Sequence, residues 1–410
     1  MANTLLTIDM ITKEALRLAH EKAVFIGTIN RQFDDKFGIE GAKIGDTLRI
    51  RYPSVYTRRK GSRVMAVQDS QQLSTSLVVA TQDGVDMRFN SREMALDLEE
   101  FSKLHLEPAM ATMMSQIDSD VLIGCTKSTY NFAGNSSNGQ SLTAISSLTG
   151  PGNARTRLNQ GLAPKGDRYI QVDSGMMASI VTGVAGYFNP SNALSEQYRE
   201  GLVARTAMAD YYENERVWGM VTISSVTLSS AKLNGFFSTL GQTSLNVTSI
   251  TQQVDIGQVF TVANVYDVHP ETTQQFLNLK QFVITATTDA STYTISPAIY
   301  ISGPRQNIKG AFTATTLAAS SYAMTMLGTT SATFPTALMY HKDAFTFATA
   351  ALPLMAASEK CVRRSYDGLS LRVWQDSDIR NDELLTRIDM LYGFAAIRPA
   401  WASRIVGTGQ

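Results

Sequence analysis

The chain has 410 residues, 44% of them hydrophobic and 18% charged, and its 36 basic residues equal its 36 acidic residues. This composition predicts a buried core in two or three domains and excludes a chain that is disordered throughout. A net charge of zero also argues against a general nucleic-acid-binding protein, because such proteins are usually basic overall.

The sequence gives no sign of a segment that enters or crosses a membrane. The first residues lack the basic start and apolar run of a signal peptide, and no apolar run reaches the roughly 18 residues of a membrane-spanning helix. Cys125 and Cys361 belong to no CxxC pattern, so neither a disulfide framework nor a zinc site is indicated. These features predict a soluble protein made in a cytosol.

The N-terminal part predicts a helix followed by a hairpin. Residues 11–25 have the apolar spacing of an amphipathic helix, with Thr12 as its N-cap. Residues 47–52 alternate as a strand does, and residues 74–89 predict a returning pair of strands around a turn at Asp83 and Gly84. Together they indicate a long β-hairpin over 45–89.

The far end of this hairpin is rich in basic residues. The stretch "LRIRYPSVYTRRKGSR", Leu48 to Arg63, contains no acid and interleaves its cations with two tyrosines. Such a pattern is typical of a nucleic-acid contact. On a projecting hairpin of a neutral chain, the pattern favours instead a contact with acidic residues of a neighbouring subunit.

The next segments alternate between helix and loop. Methionines and aliphatic residues recur every three or four positions over 101–127 and predict a long helix that tolerates Pro108 near its start. Residues 131–160 are rich in Gly, Asn and Ser and predict a loop. Mixed α/β character follows over 165–220, with a strand at "RYIQVDSG", a helix at "MMASIVTGVAGYF" and a further amphipathic segment over 194–217.

The composition changes between Ile223 and Phe334. Of these 112 residues 33 are Ser or Thr and eight are charged, and short alternating runs recur between turn signals. This pattern predicts a small all-β barrel or sandwich. Since mixed character resumes after Pro335, we expect a domain inserted into an α/β host, with joints near 222 and 334.

The C-terminal part returns to mixed character. "TALMYHKDAFTFATAAL" predicts a strand and then a helix, "DGLSLRVWQDSD" a strand, and "ELLTRIDMLYGFAAIRP" a long strand bent at Gly393. Residues 376–383, "DSDIRNDE", superficially resemble a calcium loop. Arg380 and Asn381 stand where such a loop needs an oxygen ligand and a glycine, so a solvated acidic loop is predicted.

Motifs that carry chemistry are missing from the sequence. The four histidines are widely separated, "GCTKST" at 124–129 lacks a glycine of the phosphate-binding loop, and neither GxGxxG nor GxSxG occurs. These observations argue against an enzyme, a metal site and a bound cofactor.

Five stretches, in this order along the chain, resemble a known family. They are "KIGDTLRIRYP" (43–53), "LEPAMATMMSQIDSDVL" (106–122), "NVYDVHPETTQQFLNLKQFVITA" (264–286), "HKDAFTFATAALPL" (341–354) and "DGLSLRVWQDSDIRNDELLTRIDMLYGFAAIRP" (367–399). The chain resembles the major capsid proteins of tailed bacteriophages with the Hong Kong 97-type fold. It is most similar to coat proteins of the Salmonella short-tailed-phage (P-twenty-two) group, which carry an inserted β-barrel domain.

The resemblance implies an α+β capsid fold with defined parts. These are an N-arm (1–40), an extended loop (41–75), a peripheral domain (76–145) with a spine helix (101–127), an axial domain in two pieces (146–222 and 334–385), an inserted all-β domain (223–333) and a C-terminal strand (386–410) that rejoins the peripheral domain. The inserted domain would act as a folding aid or as a clamp between capsomers.

The resemblance further implies a structural role. Copies of the chain would form hexamers and pentamers that close into an icosahedral shell around double-stranded DNA, without sequence-specific binding and without a cofactor. Assembly in the host cytoplasm would involve a scaffolding protein and a portal, with a decoration protein as a further candidate partner. An encapsulin-type compartment shell and a secreted β-rich adhesin or hydrolase remain the alternatives.

For the extended loop, the expected contact is between subunits. The candidate interface residues are Arg51, Arg58, Arg59, Lys60 and Arg63. The candidate acids on the neighbouring subunit are Glu93, Asp97, Glu99 and Glu100.

Overall fold

The chain folds into a mixture of helices and strands in a computed structural model, which confirms the α+β class. The described residues are 8–31, 47–61, 64–65, 67–69, 72–90, 105–134, 148–184, 209–221, 232–234, 240–248, 254–289, 291–310, 324–327, 333–355, 360–378, 380–381 and 383–407.

Five α-helices lie in these residues: α1 (Ile8–Lys22), α2 (Val24–Thr28), α3 (Glu107–Ser128), α4 (Thr149–Gln160) and α5 (Ser174–Val184). The first ten strands are β1 (Thr47–Arg51), β2 (Ser74–Val78), β3 (Thr81–Asn90), β4 (Phe132–Ala133), β5 (Arg168–Val172), β6 (Asp210–Glu213), β7 (Gly219–Val221), β8 (Lys232–Asn234), β9 (Gln242–Thr248) and β10 (Val259–Val268). The later strands are β11 (Gln275–Thr287), β12 (Thr292–Ile299), β13 (Ile308–Lys309), β14 (Met324–Met326), β15 (Thr333–His341), β16 (Phe345–Ala350), β17 (Lys360–Tyr366), β18 (Leu369–Asp378), β19 (Glu383–Ala396) and β20 (Ala402–Val406).

The strands form four sheets. β1 and β2 pair alone, and β16-β19-β18-β17 with β3 on β19 make a five-stranded sheet. β4-β20-β15-β5-β6, with β7 on β15, make a six-stranded sheet, and β13-β10-β11-β12-β9-β8, with β14 on β10, make a seven-stranded sheet. Across the described residues, no helix has the length and hydrophobicity needed to span a membrane.

The chain divides into two compact units. The first consists of Met1–Ile50, Ser74–Leu122 and Phe345–Ile397, and the second of Arg51–Leu73, Ile123–Ala344 and Arg398–Gln410. The five-stranded sheet belongs to the first unit, and the six- and seven-stranded sheets belong to the second.

In the first unit, the N-terminal helix differs from the prediction. α1 begins at Ile8, so Thr12 is a buried residue inside the helix and not its N-cap. The chain then starts α2, whose N-cap Ala23 has no side chain that can accept a hydrogen bond. Asp118 of α3 supplies the missing acceptor, because its buried Oδ1 accepts from the backbone N–H of Phe25 and of Ile26, each at 3.0 Å.

The long helix α3 follows the predicted apolar stripe. Met110, Met114, Ile117 and Val121 are fully buried at spacings of three and four. The helix begins at Glu107, later than predicted, and residues 101–104 lie outside the described residues. Its 22 residues correspond to about 33 Å at 1.5 Å per residue.

A predicted turn at Asp83 and Gly84 is wrong. Both residues lie inside β3, where Gly84 is the register partner of Asp389 in β19. A Cβ at Gly84 would overlap the backbone oxygen of Ile388. The glycine therefore permits two strands to approach closely and does not make a turn.

Two other predicted elements are also corrected. "FTFATA" is strand β16, paired from Phe345 to Ala350 with β19, because its alternating aromatic and β-branched residues favour a sheet over the predicted helix. Part of the predicted loop 131–160 is helix α4, whose Pro151, Ala154 and Leu158 are buried on one face. The remainder at 135–147 lies outside the described residues, as do 185–208 in the helix and amphipathic segment predicted there.

Among the described residues, the second unit has three buried hydrophobic clusters. α4 and α5 pack on one face of the six-stranded sheet through Leu158, Ile170, Ile180 and Met339. The seven-stranded sheet has its own core, which includes the stacked rings of Phe260 and Phe282, 5.5 Å apart. The single strand predicted over 386–410 is two strands, β19 and β20, that belong to different sheets.

Candidate subunit interface

The hairpin formed by β1, β2 and the loop between them carries the predicted basic residues. Ile50 and Leu77 are buried on the strands of the hairpin. β2 also approaches β19 so closely that a Cβ at Gly393 would overlap the carbonyl oxygen of Val78. The strands at the base of the hairpin are therefore fixed by packing within the first unit.

Hydrogen bonds hold the two sides of the loop together beyond these strands. Tyr52 N donates to the Leu73 carbonyl at 2.8 Å. Further out, Thr57 N and Oγ1 both donate to Gln68 Oε1, at 2.8 and 2.9 Å, and Gln68 Nε2 donates back to the Thr57 carbonyl at 2.5 Å. The reciprocal Thr57–Gln68 pair restrains a loop that would otherwise have to order itself when a partner binds.

The predicted cations are exposed. Arg51, Arg58, Arg59 and Lys60 all face solvent, and among the described residues no carboxylate lies within ion-pair distance of them. Arg59 donates through Nη1 to the carbonyl oxygen of Val64 across the end of the loop. Arg59 thus has a role in shaping the loop, whereas the charges of the other three are available to a partner.

The other predicted interface residues do not belong to the part of the chain that the structure describes. Arg63 lies outside the described residues, and so do the acids Glu93, Asp97, Glu99 and Glu100. The pairing of loop cations with these acids stays a prediction.

Sequence reasoning missed the apolar part of this surface. Val64, Met65 and Val67 are 76%, 77% and 82% exposed, and Val55 and Tyr56 on the opposite side of the loop are exposed as well. The signal was the run "VMAV" at 64–67, directly after the charges. An exposed apolar group rimmed by charge is typical of a protein–protein contact.

In the first unit, the buried carboxylate of Asp389 has a structural role. Asp389 is fully buried and accepts from Arg372 Nη2 at 2.5 Å and from Arg387 Nε at 2.7 Å. Burial alone would raise the pKa of Asp389, but the hydrogen bonds from the two arginines outweigh it and hold the pKa below its ordinary value. Asp389 and the two arginines therefore form a charged hydrogen-bonded contact between β18 and β19.

The predicted acidic loop is the turn between β18 and β19. Asp378 accepts from the Arg380 N–H at 2.9 Å and from Asn381 Nδ2 at 2.8 Å, so its oxygens are used within the turn. Within the described ranges, no three His, Cys, Asp or Glu side chains come together as a metal site.

His341 is the buried histidine of the second unit. Its Nδ1 accepts from the backbone N–H of Asp343 at 3.2 Å. Burial lowers the pKa of His341; Asp343 and Asp167 oppose this lowering, whereas Arg168 and Arg398 add to it. The imidazole is therefore neutral near neutral pH.

The β-rich segment leaves and re-enters the six-stranded sheet at one place. β7 pairs antiparallel with the start of β15, with Val221 opposite Thr333 and Gly219 opposite Pro335. The chain passes from β7 into the seven-stranded sheet and returns to β15, and every described element in between is a strand.

This segment shares a core with the elements that flank it in the chain. Val259, Val283 and Leu327 of the segment belong to one buried cluster with Phe132 and Val406. Next to this cluster, the side chain of Gln281 makes two hydrogen bonds to the backbone of Phe132. Phe132 N donates to Gln281 Oε1 at 2.7 Å, and Gln281 Nε2 donates to the Phe132 carbonyl at 3.0 Å.

A buried arginine joins the same elements. Arg404 of β20 donates to the carbonyl of Gly257 at 2.6 Å and to that of Lys127, in the last turn of α3, at 2.9 Å. Burial lowers the pKa of Arg404 to about 9, so the guanidinium is still charged at neutral pH. A cation next to a helix C-terminus is favoured by the helix dipole.

The C-terminal part of the chain is similar to a known protein family. Residues 239–407, from the β-rich segment through β20, match the family model of P22 coat protein, gene protein 5. This part of the chain, 169 of its 410 residues, is similar to a phage coat protein. A coat protein is the structural subunit of a capsid, and many copies of it build the shell. No curated protein matches the chain.

Solved structures of two phages and of a virus-like particle are similar to this chain at low identity. A Mycobacterium phage Che8 chain has a TM-score of 0.47 and 10% identity, with 93% of this chain and 90% of that chain covered. The capsid of Ralstonia phage GP4 has a TM-score of 0.46 and 8% identity, with 93% and 87% covered. A virus-like particle from Pyrococcus furiosus has a TM-score of 0.40 and 9% identity, with 97% and 98% covered. These TM-scores lie below 0.5, so the similarity of the chain to coat proteins rests on the family match over residues 239–407.

Proposed function

We propose that this chain is a phage coat protein. It assembles as hexamers and pentamers into an icosahedral shell that encloses phage double-stranded DNA, as a non-catalytic subunit that needs no cofactor. The observation that carries the proposal is the match of residues 239–407 to the coat protein family. The balance of 36 basic and 36 acidic residues supports it, because many strongly charged copies in contact would repel one another. The same match favours the phage shell over an encapsulin-type compartment and over a secreted adhesin or hydrolase.

Within this shell, the parts of the chain have the roles expected for a Hong Kong 97-type subunit. The N-arm, the extended loop and the peripheral domain with α3 precede an axial domain that is interrupted by the β-rich segment. The pairing of β7 with β15 supports an insertion, because it brings the two joints together. The core shared with Phe132 and Val406 supports the folding-aid role of this segment over the clamp role.

The other partners follow from the same assignment. Assembly takes place in the bacterial cytoplasm with a scaffolding protein and around a portal, and a decoration protein is a further candidate partner. The shell surrounds the DNA without reading its sequence.

The hairpin loop contacts a neighbouring copy in the shell. Its cations Arg51, Arg58 and Lys60, together with Arg63, face acids of that copy, for which Glu93, Asp97, Glu99 and Glu100 are the candidates. The exposure of the three described cations and the absence of a described carboxylate near them support this role.

Assembly of the purified chain with its scaffolding protein tests the proposal. Sedimentation and negative-stain electron microscopy should show large closed particles. A chain that stays monomeric at high concentration with scaffolding protein present would contradict it. Arg58→Glu with Lys60→Glu, which keeps the loop-shaping Arg59, separates the interpretations of the loop. Lost assembly supports a subunit contact, whereas intact particles with less packaged DNA would support a nucleic-acid contact.

A further inference from the structure

A pocket of about 530 Å³ lies in the second unit, bounded by the turn before β10, the last turn of α3 and the segment before β7. A volume of this size is typical of sites that bind small molecules. The residues that line the pocket include Lys127, Trp218, Val254, Asp255, Ile256 and Thr287.

Contacts within the chain hold the walls of this pocket in place. Gly257 has a φ of +97°, and a Cβ there would lie 2.9 Å from Lys127 Cγ and 3.1 Å from Trp218 Cη2. The N–H of Gly257 donates to the Ile284 carbonyl at 2.8 Å, and its carbonyl accepts from Arg404 at 2.6 Å. Since the walls are already fixed, the pocket loses little conformational freedom when a ligand binds.

Two opposite charges line the pocket without pairing. Lys127 Nζ lies 5.4 Å from the centroid of the Trp218 ring, and no carboxylate of the described residues is within ion-pair distance of it. Asp255 is exposed, and its carboxylate likewise has no cation of the described residues within ion-pair distance. A ligand with one group of each charge can form a charge-assisted hydrogen bond with both side chains.

The pocket also has apolar walls. Val254 is buried in the core of the seven-stranded sheet, whereas Ile256 is 46% exposed and Trp218 is half-buried. An apolar group of a ligand that covers Ile256 and Trp218 removes their exposed surface from water, which favours binding.

We propose that this pocket binds a small zwitterion with an apolar body, of the class of short peptides with free termini. The carboxylate of the ligand pairs with Lys127, its ammonium group pairs with Asp255, and its apolar side chains contact Trp218 and Ile256. A ligand with a single charge would leave one of the two side chains unpaired, and a neutral apolar ligand would leave both unpaired. The pocket is larger than one amino acid and accommodates a dipeptide. The inference does not depend on the assembly of the chain into a shell.

Isothermal titration calorimetry of the unassembled chain tests this site with three peptides. They are the dipeptide leucyl-phenylalanine, its N-acetylated form, which lacks the cation, and its C-terminal amide, which lacks the anion. The unmodified dipeptide should bind saturably, and each modified form should bind about tenfold more weakly because it has lost one charged contact. These comparisons use the unaltered chain, so they do not depend on the folding of a variant.

Variants then assign each charge to a residue. Lys127→Met should weaken binding of the dipeptide about tenfold and abolish the difference between the dipeptide and its amide. Asp255→Asn should abolish the difference between the dipeptide and its N-acetylated form. Lys165→Met removes an exposed lysine outside the pocket and should bind the dipeptide as the unaltered chain does.

Tryptophan fluorescence locates the bound dipeptide. Binding should change the emission of the chain, and Trp218→Phe should remove that change although two other tryptophans remain. No saturable binding of the unmodified dipeptide, or unchanged binding by the Lys127→Met variant, would overturn the proposal. Equal affinity for the dipeptide and its N-acetylated form would overturn the zwitterion class of the ligand.

Discussion

The hydrogen bonds between α2 and the buried Asp118 allow a quantitative test of how the N-terminal helices are held. Both backbone donors, Phe25 N and Ile26 N, reach the same Oδ1 at 3.0 Å, and Asp118 is fully buried. Asp118→Ala leaves two buried N–H groups without this acceptor. Each such group costs about 1–3 kcal/mol, so the free energy of unfolding should fall by about 2–6 kcal/mol. That is a large share of the roughly 5–15 kcal/mol that stabilises a typical domain.

Urea titration of the unassembled subunit, followed by circular dichroism, measures this loss. Asp118→Asn should cost less than the alanine variant, because an amide oxygen can take the place of Oδ1 and accept from both N–H groups. Asp120→Ala is the matched control on the same helix, since Asp120 is exposed and accepts one long bond of 3.4 Å, from the Tyr392 hydroxyl. If Asp118→Ala were as stable as Asp120→Ala, the claim that Asp118 caps α2 would be refuted.

Three further substitutions test other parts of the structure. Gly393→Ala should destabilise the subunit by about 1–3 kcal/mol in urea titration, because the added Cβ overlaps the Val78 carbonyl, whereas Gly152→Ala, with open space around it, should not. Arg404→Met should lower the free energy of unfolding by about 2–4 kcal/mol in the same titration, because the carbonyls of Gly257 and Lys127 lose a charged donor. Unchanged stability would contradict the claim that Arg404 holds these segments together. Burial lowers the pKa of His341, so below about pH 6.5 the unfolded chain binds a proton that the folded chain does not. The free energy of unfolding should therefore fall as the pH drops through this range, and His341→Gln should make that fall less steep. An equally steep drop in the variant would assign the pH dependence to other groups.

Strong local patterns predicted much of the fold. The apolar stripe of α3 was visible because one face of the helix is buried, and β18 and β19 were visible from the alternation in their sequences that is typical of strands. The turn signals and the low charge of the β-rich segment also predicted its strands. The errors arose where a tertiary contact overrode a local signal. Gly84 looked like a turn residue, and only its register against Asp389 shows that it permits close strand packing.

The sequence predicted the charged residues of the candidate interface but not its apolar residues. Charges on a predicted hairpin mark an exposed loop, so the cations Arg58 and Lys60 could be found from sequence. The exposed apolar residues Val64, Met65 and Val67 could not be separated from core residues, because a run such as "VMAV" is equally compatible with a buried strand. Exposure is a property of the tertiary structure, and so is the joining of distant segments by Arg404, whose partners are backbone carbonyls.

Cryo-electron microscopy of particles assembled from this chain and its scaffolding protein is the most direct test of the central claim. We expect a closed icosahedral shell built of hexamers and pentamers of this chain, with the loop between β1 and β2 of each copy lying on an adjacent copy. Particles in which this loop projects freely into solvent would contradict the proposed contact. A preparation in which the chain forms no shell at all would contradict the capsid function.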